Sequence, residues 1–108
     1  MTNRSTSSSY AVAWRDGTGA AYPGKLELRP DGIRLETGSR RGRLRVLALR
    51  YEAVSAVRMA RGRERLVGRP TILLERSGRT PVAISIVSGI GALVDLADQI
   101  NGRLRKGA

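Results

Sequence analysis

The residues of this chain with the most distinctive chemistry are arginines that occur in two clusters. The guanidinium group of arginine is planar and donates paired hydrogen bonds to phosphates and carboxylates, so clustered arginines predict an anion-binding surface. The denser cluster lies in the loop after Gly38 and comprises Arg40, Arg41 and Arg43. The second basic loop, residues 61–69, carries Arg61, Arg63, Arg65 and Arg69. Each cluster has two interpretations: an edge that faces lipid head groups or nucleic acid, or a solvated loop without a ligand.

The whole chain is basic. It has 20 lysine and arginine residues against nine acidic residues, which gives a net charge of +11, and 18 of the 20 are arginine. A charge of this size attracts polyanions nonspecifically, and the arginine bias fits phosphate binding. A GC-rich genome also favours arginine codons over lysine codons, so the bias alone leaves function and coding bias both open.

The side chains that most enzymes use are missing. The chain has no cysteine and no histidine, which removes thiolates, disulfides, the usual base at neutral pH and the best transition-metal ligands. Asp95 and Asp98 are spaced as neighbours on one helical face, where we interpret them as solvated residues rather than paired acids or a cation site. Gly17-Thr-Gly19 lacks the residues that complete a phosphate-binding loop. We therefore expect no enzymatic activity, no metal and no cofactor.

The elements that must position the arginines are predicted to be short strands. At 108 residues the chain is large enough for one domain. The clearest element is a hairpin over Lys25 to Glu36, in which apolar and charged residues alternate on both sides of the turn Pro30-Asp31-Gly32. Five further strands are predicted over residues 10–14, 44–49, 56–60, 71–75 and 81–87, with a corner over residues 51–55.

The last element is predicted to be an amphipathic helix from Ser88, as N-cap, to Leu104. Its apolar stripe is formed by Ile90, Leu93, Val94, Ala97, Ile100 and Leu104. Such a stripe must be buried, so we expect the helix to cover a small sheet or barrel. Simple alternation of strand direction would place the loops after strands one, three and five at one end and bring the two arginine clusters together, although crossing of the sheets leaves this open.

This order of elements resembles the pleckstrin-homology-like superfold, in particular bacterial PH and GRAM-type domains. The resemblance lies in the hairpin, the basic loop, the strand Arg45 to Arg50 that runs into the corner Tyr51 to Val57, the two strands around Arg76-Ser-Gly-Arg79 and the terminal helix. It implies a mainly β fold, a seven-stranded antiparallel barrel of two nearly orthogonal sheets capped by the C-terminal helix. The domain would span residues 10–105, between a disordered polar tail over 1–9 and a C-terminal tail over 106–108.

The resemblance also implies a ligand site. In lipid-binding members the phosphorylated head group sits at the uncapped end, between the loops that follow strands one, three and six. The basic residues that this places near the site are Arg15, Lys25, Arg40, Arg41, Arg43, Arg76 and Arg79. Arg15 and Lys25 fit the basic pattern of inositide binding, but its third position is Glu27, which would repel a phosphate. Anion binding is therefore expected to be weakly selective.

These observations predict a noncatalytic PH-like module that binds acidic membrane surfaces or a protein partner through its arginine-rich loops. A small basic barrel that binds nucleic acid is the alternative. It is less expected, because such barrels interleave exposed aromatic and basic residues, and this chain has one tryptophan, three tyrosines and no phenylalanine. Oligomerisation through strand edges stays open. With no apolar run as long as a membrane span, we expect a cytoplasmic protein with at most peripheral contact with the inner membrane face.

Overall fold

The computed structural model describes residues 8–38 and 44–106. It is mainly β, with seven antiparallel strands in one sheet and one C-terminal α-helix, as the sequence predicts. The elements are β1 (Ser8–Asp16), β2 (Tyr22–Leu28), β3 (Gly32–Gly38), β4 (Leu44–Arg50), β5 (Ala56–Met59), β6 (Ile72–Arg76), β7 (Arg79–Ile86) and α1 (Ile90–Lys106). Short 3-10 turns span Tyr51–Ala53, Gly62–Glu64 and Leu66–Gly68.

Several predicted features lie at or beyond the limits of the described residues. Ser8 and Ser9 belong to β1 rather than to the predicted tail, and residues 1–7 lie outside the described part of the chain. The predicted C-terminal tail begins at 106, where α1 ends, and residues 107–108 are also outside. Arg40, Arg41 and Arg43 lie outside the described residues, so the denser arginine cluster stays a prediction.

The seven strands form an open sheet, and the expected closed barrel of two sheets is wrong. The strand order is β4-β3-β2-β1-β7-β6-β5, and in the described part of the chain the edge strands β4 and β5 do not pair with each other. Closing a barrel requires the edge strands to approach within about 4.8 Å with matching register. Alternation of apolar residues predicts the strands and their buried faces, but it carries no information about that approach.

One face of the sheet forms the hydrophobic core. The hairpin is confirmed, because Leu26, Leu28, Ile33 and Leu35 are all buried there. Both edges of the sheet contribute to the same core, through Leu49 of β4 and the half-buried Val57 of β5. Strands at opposite edges can share a core only if the sheet curves around it. The sheet is therefore strongly curved, and α1 packs against β5 and β7.

The helix is docked on a stripe that overlaps the predicted one, with Ala97 and Leu104 partly buried against the core as expected. Leu93, Leu96 and Ile100 are fully buried, whereas Ile90 is 57% exposed and Val94 is 45% exposed. The helix begins at Ile90, so Ser88 is not its N-cap residue. Apolar residues cover a band of the helix surface that is wider than its buried part. Contact with β5 and β7 buries Leu96 within this band and leaves Ile90 and Val94 exposed. Within residues 8–38 and 44–106, no helix has the length and apolar character needed to cross a membrane.

Strands β2 and β3 approach each other closely at Gly24. A Cβ atom at position 24 would lie 1.9 Å from the carbonyl oxygen of Glu36, so β3 can approach β2 this closely only over a glycine. The indole Nε1 of Trp14 reaches across from β1 and donates to that same carbonyl oxygen at 3.2 Å. The hydroxyl of Thr37 donates to the carbonyl oxygen of Pro23 beside it. These contacts tie β1, β2 and β3 together at one point.

The helix docking predicts different effects for two neighbouring positions. Leu96→Asp places a charge at a fully buried site and should lower the free energy of unfolding by more than about 4 kcal/mol, enough to prevent folding of many domains of this size. Val94→Asp, at an exposed site, should change it by less than about 0.5 kcal/mol. Circular dichroism melts of both variants test this, and a larger loss of stability in Val94→Asp than in Leu96→Asp would show that α1 is docked with Val94 facing the sheet.

Replacing a glycine by alanine should have opposite effects on stability at two positions, one in the sheet and one in the helix. Gly24→Ala should destabilise the protein by about 1–3 kcal/mol, because its methyl group cannot fit beside the Glu36 carbonyl. Gly102→Ala, in α1 with no heavy atom within 4 Å of the added methyl group, should stabilise it by about 0.5–1 kcal/mol. Urea unfolding followed by the fluorescence of Trp14 measures both, and a neutral Gly24→Ala would show that β2 and β3 are farther apart.

Candidate anion-binding surfaces

The direction of the strands separates the second basic loop from the loops of the implied head-group site. Six antiparallel pairings connect β4 to β5, so these two edge strands run in the same direction. The loop after β5 therefore lies at one end of the strands, and the loops after β1, β3 and β6 lie at the opposite end. Simple alternation of strand direction fails here because β4 and β5, although consecutive in the chain, run in the same direction. Residues Tyr51–Ala53 carry the chain from one edge of the sheet to the other. Strand alternation thus gives no reason for the two clusters to merge.

Arg76, one of the residues that the resemblance assigns to the head-group site, makes structural contacts. It is 9% exposed, and its Nη2 atom is 2.8 Å from Oδ1 of Asp16 at the end of β1. Its Nε and Nη2 atoms also donate to the carbonyl oxygen of Thr80 across the β6–β7 turn. These bonds fix that turn to β1. The buried Nη1 atom has no protein partner.

Lys25 and Glu27 belong to a charge network on the outer face of β2 and β3. The Nζ atom of Lys25 is 3.5 Å from Glu36, and Glu27 lies 3.1 Å from Arg29 and 3.7 Å from Arg34. A hydrogen bond from Arg34, with its positive charge, lowers the pKa of Glu36 below its ordinary value. Lys25 is therefore offset by a neighbouring carboxylate. Glu27 is likewise balanced by arginines.

Arg15 and Arg79 differ in exposure. Arg15 is half-buried on the outer face of β1, opposite Ala83, and its Nε atom is buried without a partner. Arg79 is exposed and borders a small cleft of about 240 Å³ that also includes Glu52 and Ser55. Among the described members of the implied site, Arg79 is the basic side chain that is both exposed and free of an ion pair. The structure does not gather these side chains into one pocket.

A cleft of about 570 Å³ lies between the β1–β2 loop and the start of β4. Trp14 and Tyr22 line it, with Asp16 and Arg45. The guanidinium carbon of Arg45 is 4.6 Å from the centre of the Tyr22 ring, a cation–π contact. Arg45 is not among the residues predicted for the site, although it follows the first arginine cluster closely in the chain. The cleft combines one acidic and one basic side chain, so it has no excess positive charge among these residues.

A second cleft, of about 540 Å³, lies between α1 and the β2–β3 turn. Asp31 and Glu52 line it together with Arg50 and Arg103, so its charges are mixed. At its floor the hydroxyl of Tyr51 donates to the carbonyl oxygen of Arg29 at 2.7 Å. Burial raises the pKa of this tyrosine. The balance of charges in the cleft gives no preference for anions.

The second basic loop is held in place by one apolar anchor and one ion-pair cluster. Leu66 is buried with Leu73 and Ala83 in a small cluster on the outer face of the sheet. At the base of the loop, Arg58 donates to both carboxylate oxygens of Glu64, at 3.0 and 2.7 Å, and also to Glu75. The loop is therefore an ordered structure that lies against the sheet.

The four arginines of this loop are not neutralised. Arg61, Arg63, Arg65 and Arg69 are all exposed. All nine acidic residues lie in the described part of the chain, and none of their carboxylates is within 4 Å of these guanidinium groups. Glu64, the acidic residue of the loop, is occupied by Arg58. The second basic loop is thus the strongest uncompensated positive surface in the described residues.

Comparison with known proteins shows a similar fold and no function. The C-terminal domain of an unknown protein from Leishmania infantum has a solved structure that aligns with a TM-score of 0.63 and 14% sequence identity. The alignment covers 86% of this chain and 81% of that chain. No family model and no curated protein matches the sequence. At 14% identity, the likeness concerns the fold alone.

The Arg58 cluster predicts an unusual titration. Hydrogen bonds from Arg58 lower the pKa of Glu64 from an ordinary value of 4.5 to about 2. Because the folded-state pKa is depressed, the stabilisation from this carboxylate is present above pH 4.5 and is lost as the pH falls towards 2. Carbon-detected NMR titration should show the shift, and Arg58→Gln should move the pKa back towards 4.5. A midpoint near 4.5 in the parent would show that the pair is open in solution.

Proposed function

We propose that this protein is a noncatalytic PH-like interaction module that binds anionic surfaces, in the first place acidic membranes, through exposed arginines. The observation that carries the proposal is the distribution of carboxylates. Six of the nine acidic residues, Glu64 of the loop among them, form ion pairs with other basic side chains, and no carboxylate lies within 4 Å of the four loop arginines. Exposed, unpaired guanidinium groups on an ordered loop attract phosphate groups at little cost in reorganisation.

The order of elements supports the PH-like part of the proposal. Seven antiparallel strands followed by one docked helix are what the resemblance implies, and the open, curved sheet keeps its basic loops accessible. Dispersed basic residues support weak head-group selectivity, because Lys25 and Arg76 are paired and, of the other members that the structure describes, Arg15 is half-buried and Arg79 is exposed. The proposal includes a cytoplasmic protein that contacts the inner face of the membrane peripherally.

The aromatic residues do not favour the nucleic-acid alternative. All four lie in the described part of the chain, and none is classed as exposed. Trp14 and Tyr51 are buried, Tyr22 lies beneath Arg45, and the hydroxyl of Tyr10 hydrogen-bonds to Asp95. Single-stranded nucleic acid is usually held by exposed rings on which bases stack. A protein partner with an acidic surface remains the next candidate.

Vesicle binding tests the proposal. The parent should bind vesicles that contain phosphatidylserine or cardiolipin, ignore phosphatidylcholine vesicles, and bind more weakly as salt is raised. Changing Arg61, Arg63 and Arg65 together to serine should weaken binding by about a hundredfold, allowing for partial engagement at about 1 kcal/mol for each residue. The triple change of Arg40, Arg41 and Arg43 to serine measures the contribution of the other loop in the same assay.

A charge-matched control separates local binding from net charge. Changing Lys25, Arg29 and Arg50 to serine removes the same three charges from residues that are already paired with carboxylates. This variant should bind within about threefold of the parent, since paired charges contribute little to an external anion. Equal losses of vesicle affinity in both triple variants would show that binding depends on net charge and not on the loop. A parent that ignores anionic vesicles at low salt, or prefers oligonucleotides, would refute the membrane proposal.

A further inference from the structure

Val67, at the tip of the second basic loop, is exposed in a backbone conformation that valine rarely adopts. It is 89% exposed, and its φ and ψ angles are 50° and 37°, in the left-handed region. A β-branched residue is strained there, and asparagine or glycine would fit better. Packing does not account for the valine, since the side chain has almost no contact with the rest of the protein. An exposed, strained apolar side chain points to a role outside the fold.

The fold brings a second exposed apolar segment, at the β7–α1 junction, to the same end of the sheet as Val67. Arg69 and Pro70, at the end of the loop, form a shallow cleft of about 280 Å³ with Val87 at the β7–α1 junction. Val87 is 66% exposed, and Ile90 follows it at the start of α1. Strand direction explains the proximity, because β5 and β7 end at the same side of the sheet. Arg69, an unpaired arginine of the loop, thus borders Val87, and Val67 lies two residues before it in the chain.

We propose that this surface, Val67 with Val87 and Ile90, enters the interfacial region of an anionic bilayer while Arg65 and Arg69 contact the lipid phosphates. The inference rests on the proposed function and specifies its surface and orientation. It also places the membrane contact at the side of the sheet opposite to the implied head-group loops. Aliphatic side chains bordered by arginine suit a bilayer, because the arginine stems can lie along apolar surface while their charged groups stay at the phosphates.

A bilayer fits this surface better than an acidic protein does. Val67 projects from a turn, whereas a protein partner would need a pocket shaped to receive it. No carboxylate pairs with the loop arginines in the described residues, and Glu64 is held by Arg58 at the base of the loop. A bilayer surface presents phosphates at every position and an apolar layer directly below them, which matches apolar residues at the centre and basic residues at the rim.

Site-specific labelling tests the orientation directly. The chain has no cysteine, so single changes Val67→Cys, Val87→Cys and Val46→Cys each give one attachment site for a polarity-sensitive dye. Position 46 is on β4, exposed and away from the proposed surface. With phosphatidylserine vesicles, the emission should shift to the blue at positions 67 and 87 and remain unchanged at 46. Bound protein whose dye stays in water at position 67 would overturn the inference and leave the proposed function standing.

A second variant separates membrane binding from stability. Val67→Asn puts a polar residue that tolerates the left-handed region at the same position, so its melting temperature should equal or exceed that of the parent. Its affinity for phosphatidylserine vesicles should fall about fivefold, the loss expected when one partly inserted apolar side chain is removed. Val46→Asn should leave the affinity unchanged, and Val67→Leu should preserve it. Unchanged affinity in Val67→Asn refutes insertion, while a parent without vesicle affinity refutes both proposals.

Discussion

The structure depends on keeping one face of a seven-stranded sheet away from water. A flat sheet of this width would expose its apolar face, and a single helix is too narrow to cover it. The sheet therefore curves until residues from both of its edges share one core, and α1 closes that core with Leu93, Leu96 and Ile100. The curvature requires strands to approach closely, which is possible where Gly24 leaves room for the carbonyl group of Glu36.

The pairing of charges within the fold determines which of them are available to a ligand. Charged residues on the outer faces of β2 and β3 stand opposite one another across the ladder, so lysine and arginine there pair with Glu27 and Glu36. Arg76 is drawn into the end of the core, where burial obliges it to pair with Asp16. Acidic residues that are held in these ion pairs do not neutralise the loop after β5. The positive surface of the protein results from where its few carboxylates are held.

The second basic loop combines order with exposure. Leu66 anchors it to the outer face of β6 and β7, and the contact between Arg58 and Glu64 holds its base. Directly after Leu66 the chain carries Val67 outwards in a conformation that costs energy. A loop that is rigid at its base loses little entropy when its tip contacts a surface, which favours binding by an exposed tip of this kind.

The sequence alone determined the number of strands, the hairpin over residues 25–36 and the terminal helix, because alternation and helical periodicity are local properties of the chain. It also determined the excess of arginine. Tertiary structure decided the rest: which stripe of the helix is buried, whether the edge strands meet, and which arginines are paired. Leu96 and Val94 are both apolar in the sequence, and contact with β5 and β7 distinguishes them. Lys25, Arg76 and Arg65 are likewise all basic in the sequence, but a carboxylate lies near only the first two in the fold. Such proximities join residues far apart in the chain, and no local pattern encodes them.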